Sequence, residues 1–228
     1  MLHDSALLPL LTALVAGALA ARMAGSAVRR FAPQKPLWAL GLLLFAAANG
    51  AAAYGTADGW GEASFTVYYL AGACLCVALL GAGSAFLALP RSFALVMLGA
   101  LVTACLGAAV SVILASVDEA LLAASEGLGA PPNEALVGHA FLWAIAMNSV
   151  GTALLVAGAV VSIARRRKPG PNAAILAGVI VIALAGTLTR FGGEELLYGG
   201  QLVGLIVLGA GMEWANRSLP TRVEAVAA

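Results

Sequence analysis

The sequence predicts an all-α, polytopic membrane bundle of seven transmembrane helices, and three observations carry that prediction. The 228-residue chain is 62% hydrophobic and only 10% charged, with a mean hydropathy of +0.98. Soluble domains hold about 45–50% apolar and about 25% charged residues, so this chain has too little polar surface to coat a globule in water. Its apolar runs continue unbroken for roughly 17–25 residues, the length of a spanning helix. A barrel strand would instead alternate over about 10 positions, and in hydrocarbon the backbone has no third way to satisfy its own hydrogen bonds. Finally, the connections between runs alternate in charge.

The spans fall at about 5–25, 37–55, 65–89, 93–116, 140–164, 173–190 and 195–214. The first has no basic segment ahead of it and no cleavage pattern after it, so it reads as a retained anchor. Connection 1–2 carries Arg29, Arg30 and Lys35, with Arg22 in the turn before it. Connection 2–3 carries Asp58 and Glu62. Connection 3–4 is tight and holds Arg91 after Pro90. Connection 4–5, residues 117–139, is the largest and reads as an extracellular loop. Within it "SVDEALLAA" suits a short surface helix capped by Ser116, with acids in its first turn. Gly127, Gly129, Pro131 and Pro132 would end that helix. Connection 5–6 opens with "RRRKPGP", connection 6–7 is the "RFGGEE" hairpin, and residues 215–228 form a short cytoplasmic tail with Arg217 and Arg222.

Eleven of the twelve basic residues fall on one side of this arrangement, Arg190 being the exception, and nine of the eleven acids fall on the other. Lysine and arginine resist translocation, which makes the basic side cytoplasmic and predicts an N-out, C-in topology. An even helix count would scatter basic segments over both faces. Trp38 and Trp214 fall at cytoplasmic ends and Trp60 and Trp143 near outer ends, as expected for indoles in the headgroup zone. "RRRK" could also attract anionic lipid, although orientation alone accounts for it.

Two stretches repeat in kind. "RRFAPQKPLWALGLLLFAAANGAA" at 29–52 parallels "RRRKPGPNAAILAGVIVIALAGTL" at 165–188, and "YYLAGACLCVALLGAG" at 68–83 parallels "LLYGGQLVGLIVLGAG" at 196–211. Both pairs occupy equivalent helices in the same direction. They suggest parallel repeats, helices 1–3 and 5–7, with helix 4 as linker, a 3+1+3 plan also used by the SWEET transporters.

Polar side chains inside the spans concentrate near the outer ends. At about 1.5 Å per residue, Asn49 lies roughly 9 Å below the outer end of helix 2, Asn148 about 12 Å below that of helix 5, and Gln201 about 9 Å below that of helix 7. Tyr68, Tyr69, Tyr198, Arg190 and Glu194 lie closer to the surface. Together these eight residues form the candidate ligand pocket, with the amides as floor and with Arg190, Glu194 and Glu195 as roof. Taken singly, Asn49 or Asn148 is expected to bridge helices more readily than to touch a ligand, and the charges to cap the hairpin and pair across it. Neighbouring tyrosines on a helix diverge, so at most one of Tyr68 and Tyr69 is expected to face a shared cavity. At least two of the three amides should face the bundle interior. Beyond Ser84 and Ser162 the inner half offers little polarity.

Several chemistries lack their residues. No ionisable group sits at mid-membrane, as a proton relay would need. Both lysines lie in cytoplasmic connections, so none can hold retinal. His3 and His139 are at outer ends, no cysteine lies in a loop, and neither HExxH nor GxSxG occurs. "EELLYG" lacks the downstream arginine of the EExxxR pattern of CAAX-type proteases. Neither a catalytic residue, a metal site, a cofactor nor a nucleic-acid partner is expected, and an intramembrane enzyme is the least favoured reading.

The stretch "KPLWALGLLLFAAANG…FTVYYLAGACLCVALLGAGSAFLALPR", 35–91, resembles uncharacterised bacterial seven-helix membrane proteins. More loosely it is similar to the seven-helix sensor regions ahead of histidine kinases, which have an outside N-terminus, a tryptophan in the second helix and an aromatic third helix. The resemblance covers roughly the first half and the helix 6–7 hairpin. It implies a bacterial plasma-membrane protein of sensor type whose signal passes to a separate cytoplasmic partner, because no kinase module follows. The expected function is therefore non-enzymatic: an outward-facing pocket for a small polar or amphipathic ligand or a membrane lipid. The alternative is a facilitative transporter of a small neutral solute, which would need a polar path through the inner half as well.

Overall fold

The computed structural model describes residues 4–125, 131–165, 169–188 and 194–217, and among these the regular elements are all helical, with no strand. Seven helices are long and apolar enough to cross a membrane. They are α1 (Asp4–Arg29), α2 (Gln34–Asp58), α3 (Glu62–Ala88), α4 (Arg91–Ile113), α5 (Phe141–Ala164), α6 (Pro169–Leu188) and α7 (Glu194–Arg217). Most run a few residues beyond the apolar stretches that announce them, because polar end residues such as Lys35 and Asp58 continue the helix. Alternate connections gather Arg22, Arg29, Lys35, Arg91 and Arg165 at a basic end. Asp58, Glu62, Asp118 and Glu134 gather at an acidic end.

Six of the helices close a ring in the order α1–α2–α3–α5–α6–α7, and α7 returns to α1. Glycine decides how closely the ring can close. A Cβ on Gly81 would lie 2.5 Å from the Gly151 carbonyl oxygen, and one on Gly151 would lie 2.5 Å from that of Val77, so α3 and α5 touch backbone to backbone. Gly178 of α6 meets Gly204 of α7 in the same way, at 2.6 Å. Helices in lipid associate through such packing, since the tails around them are as apolar as leucine.

Helix α4 stands outside the ring against α3 and α5. It has the highest mean hydropathy of the seven, 2.4, and the smallest buried share, 17%. That pairing fits a helix with lipid on most sides. Trp143 of α5 holds it, resting 3.0 Å from where a Gly107 side chain would begin and donating its indole N–H to Ser111 Oγ at 2.9 Å.

The connection from α4 to α5 is clipped by an antiparallel bridge between Val117 and Leu136. The Asp118 N–H donates to the Ala135 carbonyl at 2.8 Å, and the Val137 N–H to that of Ser116 at 2.9 Å. A short helix, Glu119–Ala123, follows, and its cap is Asp118, whose carboxylate accepts from the N–H groups of Ala120 and Leu121. The expected cap, Ser116, is still in the extended bridge, so the helix starts later. It also ends before the Gly/Pro cluster. Leu122, Ala135 and Leu136 are buried against Trp60, Phe65 and Tyr69, so this segment packs down onto the acidic end of α3.

Tryptophan placement differs from a headgroup belt. Trp38 and Trp60 are buried and Trp143 is partly so; only Trp214 is well exposed, at 55%. Two glycines explain the inward turn: Gly83 leaves room for the Trp38 ring, and Gly55 for that of Trp60. The basic half is filled by a cluster that includes Met23, Trp38, Leu42, Leu80, Leu155, Ile175, Leu208 and Met212.

Most polar groups at the basic end are tied off, although the Trp38 indole N–H is buried there without a partner. Lys35 is 2% exposed and lies in the first turn of α2, not in a loop. Its Nζ donates to the Ser26 carbonyl, Ser26 Oγ and the Arg30 carbonyl at 2.8–3.2 Å. It thus serves the last turn of α1, where a cation is electrostatically favoured. Asn172 donates to Ser162 Oγ at 2.8 Å, joining α6 to α5 with both groups buried. This inner polar pair goes beyond the isolated serines expected there. Arg165 donates to the Ala88 carbonyl, and Arg22 pairs with Glu213 at 3.0 Å.

Candidate functional site

A cavity of about 390 Å³ lies within the ring, between α2, α3, α5, α6 and α7. Asn49, Asn148 and Gln201 all line it, so the three amides face the bundle interior in its acidic half.

Their hydrogen bonds show what each presents to the cavity. Asn49 is 3% exposed and donates Nδ2 to the Phe45 carbonyl, one turn back on α2, at 3.0 Å. That bond turns the amide so that Oδ1 has no partner. Asn148 donates Nδ2 to the Ala73 carbonyl of α3 at 2.7 Å, which bridges two helices. Gln201 Oε1 is also buried without a partner. The bridging role and the pocket role, alternatives in the sequence, are combined in Asn148.

Helix α3 is wound as a π-helix over Tyr68–Cys76. Its i→i+5 turn rotates each residue by less than the roughly 100° of an α-helix. This narrows the angle between neighbours, and Tyr68, Tyr69, Gly72, Ala73, Cys76, Val77 and Leu80 all line the cavity. The expectation that only one of Tyr68 and Tyr69 could face it is overturned for this reason.

Both tyrosines are held from behind. The Tyr68 ring meets Trp60 edge-on, with centroids 5.3 Å apart at 68°. Tyr69 is tilted against Phe65 at 5.7 Å. Tyr198, expected in the pocket, is buried behind Tyr68 and is not among the lining residues. Arg190 lies outside the described residues, as do the side chains of Glu194 and Glu195, so the expected roof and its ion pair fall there too.

Other lining residues went unnoticed in the sequence. Thr152 sits one turn below Asn148 on α5, where spacing alone could have found it. Asn133 comes from the clipped connection, and nothing local announces that this segment folds inward. Asn133, Ala183 and Gly186 line the cavity and are exposed, so it opens toward the acidic end. Its other end meets Leu42, Leu80, Leu155, Val179 and Leu208, which belong to the buried cluster of the basic half.

Among the described residues the lining contains no Asp, Glu, Lys, Arg or His, and no three His, Cys, Asp or Glu side chains gather anywhere as a metal site would require. Cys74 and Cys76 are free and buried, and Cys105 is free and partly buried. The arrangement offers hydrogen-bond acceptors, hydroxyls and a deep apolar wall. Comparison of the chain with known protein families, curated proteins and solved structures finds no match.

Proposed function

We propose that this chain is a multi-pass protein of a bacterial plasma membrane, N-terminus outside and C-terminus in the cytoplasm. In this reading it binds a small polar or amphipathic molecule, or a lipid, in a pocket open to the outer face. The basic end is taken as cytoplasmic from its arginines and lysines. The observation that carries the reading is a cavity with amides in its acidic half and a closed leucine floor. A cavity of this volume falls within the roughly 300–1,000 Å³ of small-molecule sites. A floor of packed side chains suits a sensor or binding module, whose signal would pass through the ring to a cytoplasmic partner.

A second reading, a facilitative transporter of a neutral solute, is favoured by one feature. The ring order, with α4 outside, is the order that a parallel duplication of α1–α3 into α5–α7 would produce.

One experiment separates the two. With Cys74, Cys76 and Cys105 replaced by alanine, Thr152→Cys is treated with a membrane-impermeant thiol reagent from either side of oriented vesicles. Modification from outside alone is expected. Modification from the cytoplasmic side as well would install the transporter reading in its place, and modification from neither side would remove the open pocket.

A further inference from the structure

We propose that the cavity selects a neutral amphipathic molecule whose head donates hydrogen bonds, an alcohol or an N–H-bearing amide. The proposal rests on the pocket reading above and names the chemistry of its occupant.

The selection follows from which amide atoms are already engaged. Asn49 gives one N–H to Phe45 and Asn148 gives one to Ala73. What Asn49 and Gln201 hold without a partner is a carbonyl oxygen each, Oδ1 and Oε1. A buried acceptor left unpaired is a standing cost, relieved when a donor arrives. Asn49 is built for this, since it is almost wholly enclosed and its orientation is fixed by its own helix. A head group that only accepts, such as an ether or ester, would set its oxygen against these oxygens.

Charge narrows the choice further. An ammonium head would donate well, but no carboxylate lines the cavity among the described residues, and a cation enclosed in apolar walls without a counter-charge is strongly disfavoured. The apolar part of the molecule is specified by the other end of the cavity, where Leu42, Leu80, Leu155 and Leu208 converge. A polar head at amide level and a short hydrocarbon body toward the floor fill both environments.

The test uses the full chain in phosphatidylcholine nanodiscs with a photoactivatable alcohol, 3-azioctanol, and maps labelled peptides by mass spectrometry. Labelling is expected on α3 and α5 around Gly72–Val77 and Asn148–Leu155. Competitors are 1-octanol, octanamide, heptyl methyl ether and octyltrimethylammonium, each corrected for its partition into the bilayer. The alcohol and the amide should displace the label at about tenfold lower concentration than the ether, the value of one good hydrogen bond. In Asn49→Leu that preference should shrink toward one while labelling persists; Gln201→Leu serves equally should the first variant fold poorly. Ether and alcohol competing alike in the native protein, or the ammonium competing best, would overturn this inference and leave the pocket standing. No labelling of either segment would overturn the pocket reading and this inference with it.

Discussion

At the basic end of the ring, Lys35 donates to three oxygens, Asn172 to Ser162 and Arg165 to Ala88. About 20 Å away, at about 1.5 Å per helical residue, Asn49 and Gln201 keep buried carbonyl oxygens that no group meets. The two halves share a composition of alanine, glycine and leucine, so composition cannot be the cause. The basic half spends most of its polar groups on helix ends and helix pairs, and leucine, methionine and tryptophan fill what remains. Among the described residues it leaves a donor, the Trp38 indole N–H, buried without a partner, but no acceptor of the kind Asn49 and Gln201 present. In the acidic half the π-helical turn of α3 swings a double row of side chains toward a space that stays open. Close packing is thus concentrated in one half and open, unmet acceptors in the other, the pattern that a site held at the expense of local consistency would produce.

That contrast can be broken most directly by truncating the filled half. Met212 is fully buried in the basic cluster, and Met212→Ala should destabilise the protein by about 2–5 kcal/mol. Thr152→Val, on the cavity wall, should stay within about 0.5–1 kcal/mol, because nothing is packed against the altered group on the cavity side. Thermal or denaturant melts in one detergent compare the two. Equal losses would show that the halves are packed alike.

Lys35→Met comes next, at about 2 kcal/mol, from the loss of hydrogen bonds made by a charged donor. Its signature is local: proteolysis between α1 and α2 should quicken while α5–α7 stay resistant. A uniform change along the chain would show that Lys35 acts through overall orientation and not through the last turn of α1.

Asn148→Leu should cost about 1 kcal/mol, near the measured range for one interhelical bond in a membrane protein. The Ala73 carbonyl loses its partner from α5, so amide exchange across Tyr68–Cys76 should speed up. Unchanged exchange there would mean that the π-helical turn does not depend on this bridge.

The sequence made the seven helices legible because each apolar run is long enough to have one solution in lipid. It made the amides legible because depth can be counted along a helix. Other features depend on which surfaces meet, and one chain read linearly does not carry that. Tyr69 faces the cavity only because α3 is underwound, a change with no local composition mark. Trp38 and Trp60 turn inward only because Gly83 and Gly55 of other elements make room. Asp118 displaces Ser116 as cap only because Ser116 pairs with Val137, twenty-one positions away. Lys35 reads in the sequence only as a charge of the connection, because two of its acceptors belong to Ser26 in the last turns of the preceding helix and the third to Arg30 just beyond its end.

The smallest expected effect is the most informative for the contrast between the halves. Gln201→Leu removes a side chain that lines the cavity and whose oxygen has no partner. Were Gln201 a structural bridge like Asn172, its loss would cost about 1 kcal/mol or more, because a partner would be stranded. Here no hydrogen bond to its oxygen is broken, an unpaired buried acceptor is removed, and leucine adds apolar surface to an apolar wall. The melt of the ligand-free protein should therefore be unchanged, or stabilised by up to about 1 kcal/mol. Arg22→Ala is the reference from the other half. Its pair with Glu213 is largely exposed, at 60% and 26%, so its removal should cost about 0–1 kcal/mol. Gln201→Leu is therefore expected to cost no more than Arg22→Ala. A clear destabilisation by Gln201→Leu would mean that the glutamine holds the bundle together. The acidic half would then be another packed region, and its open acceptors would no longer distinguish it.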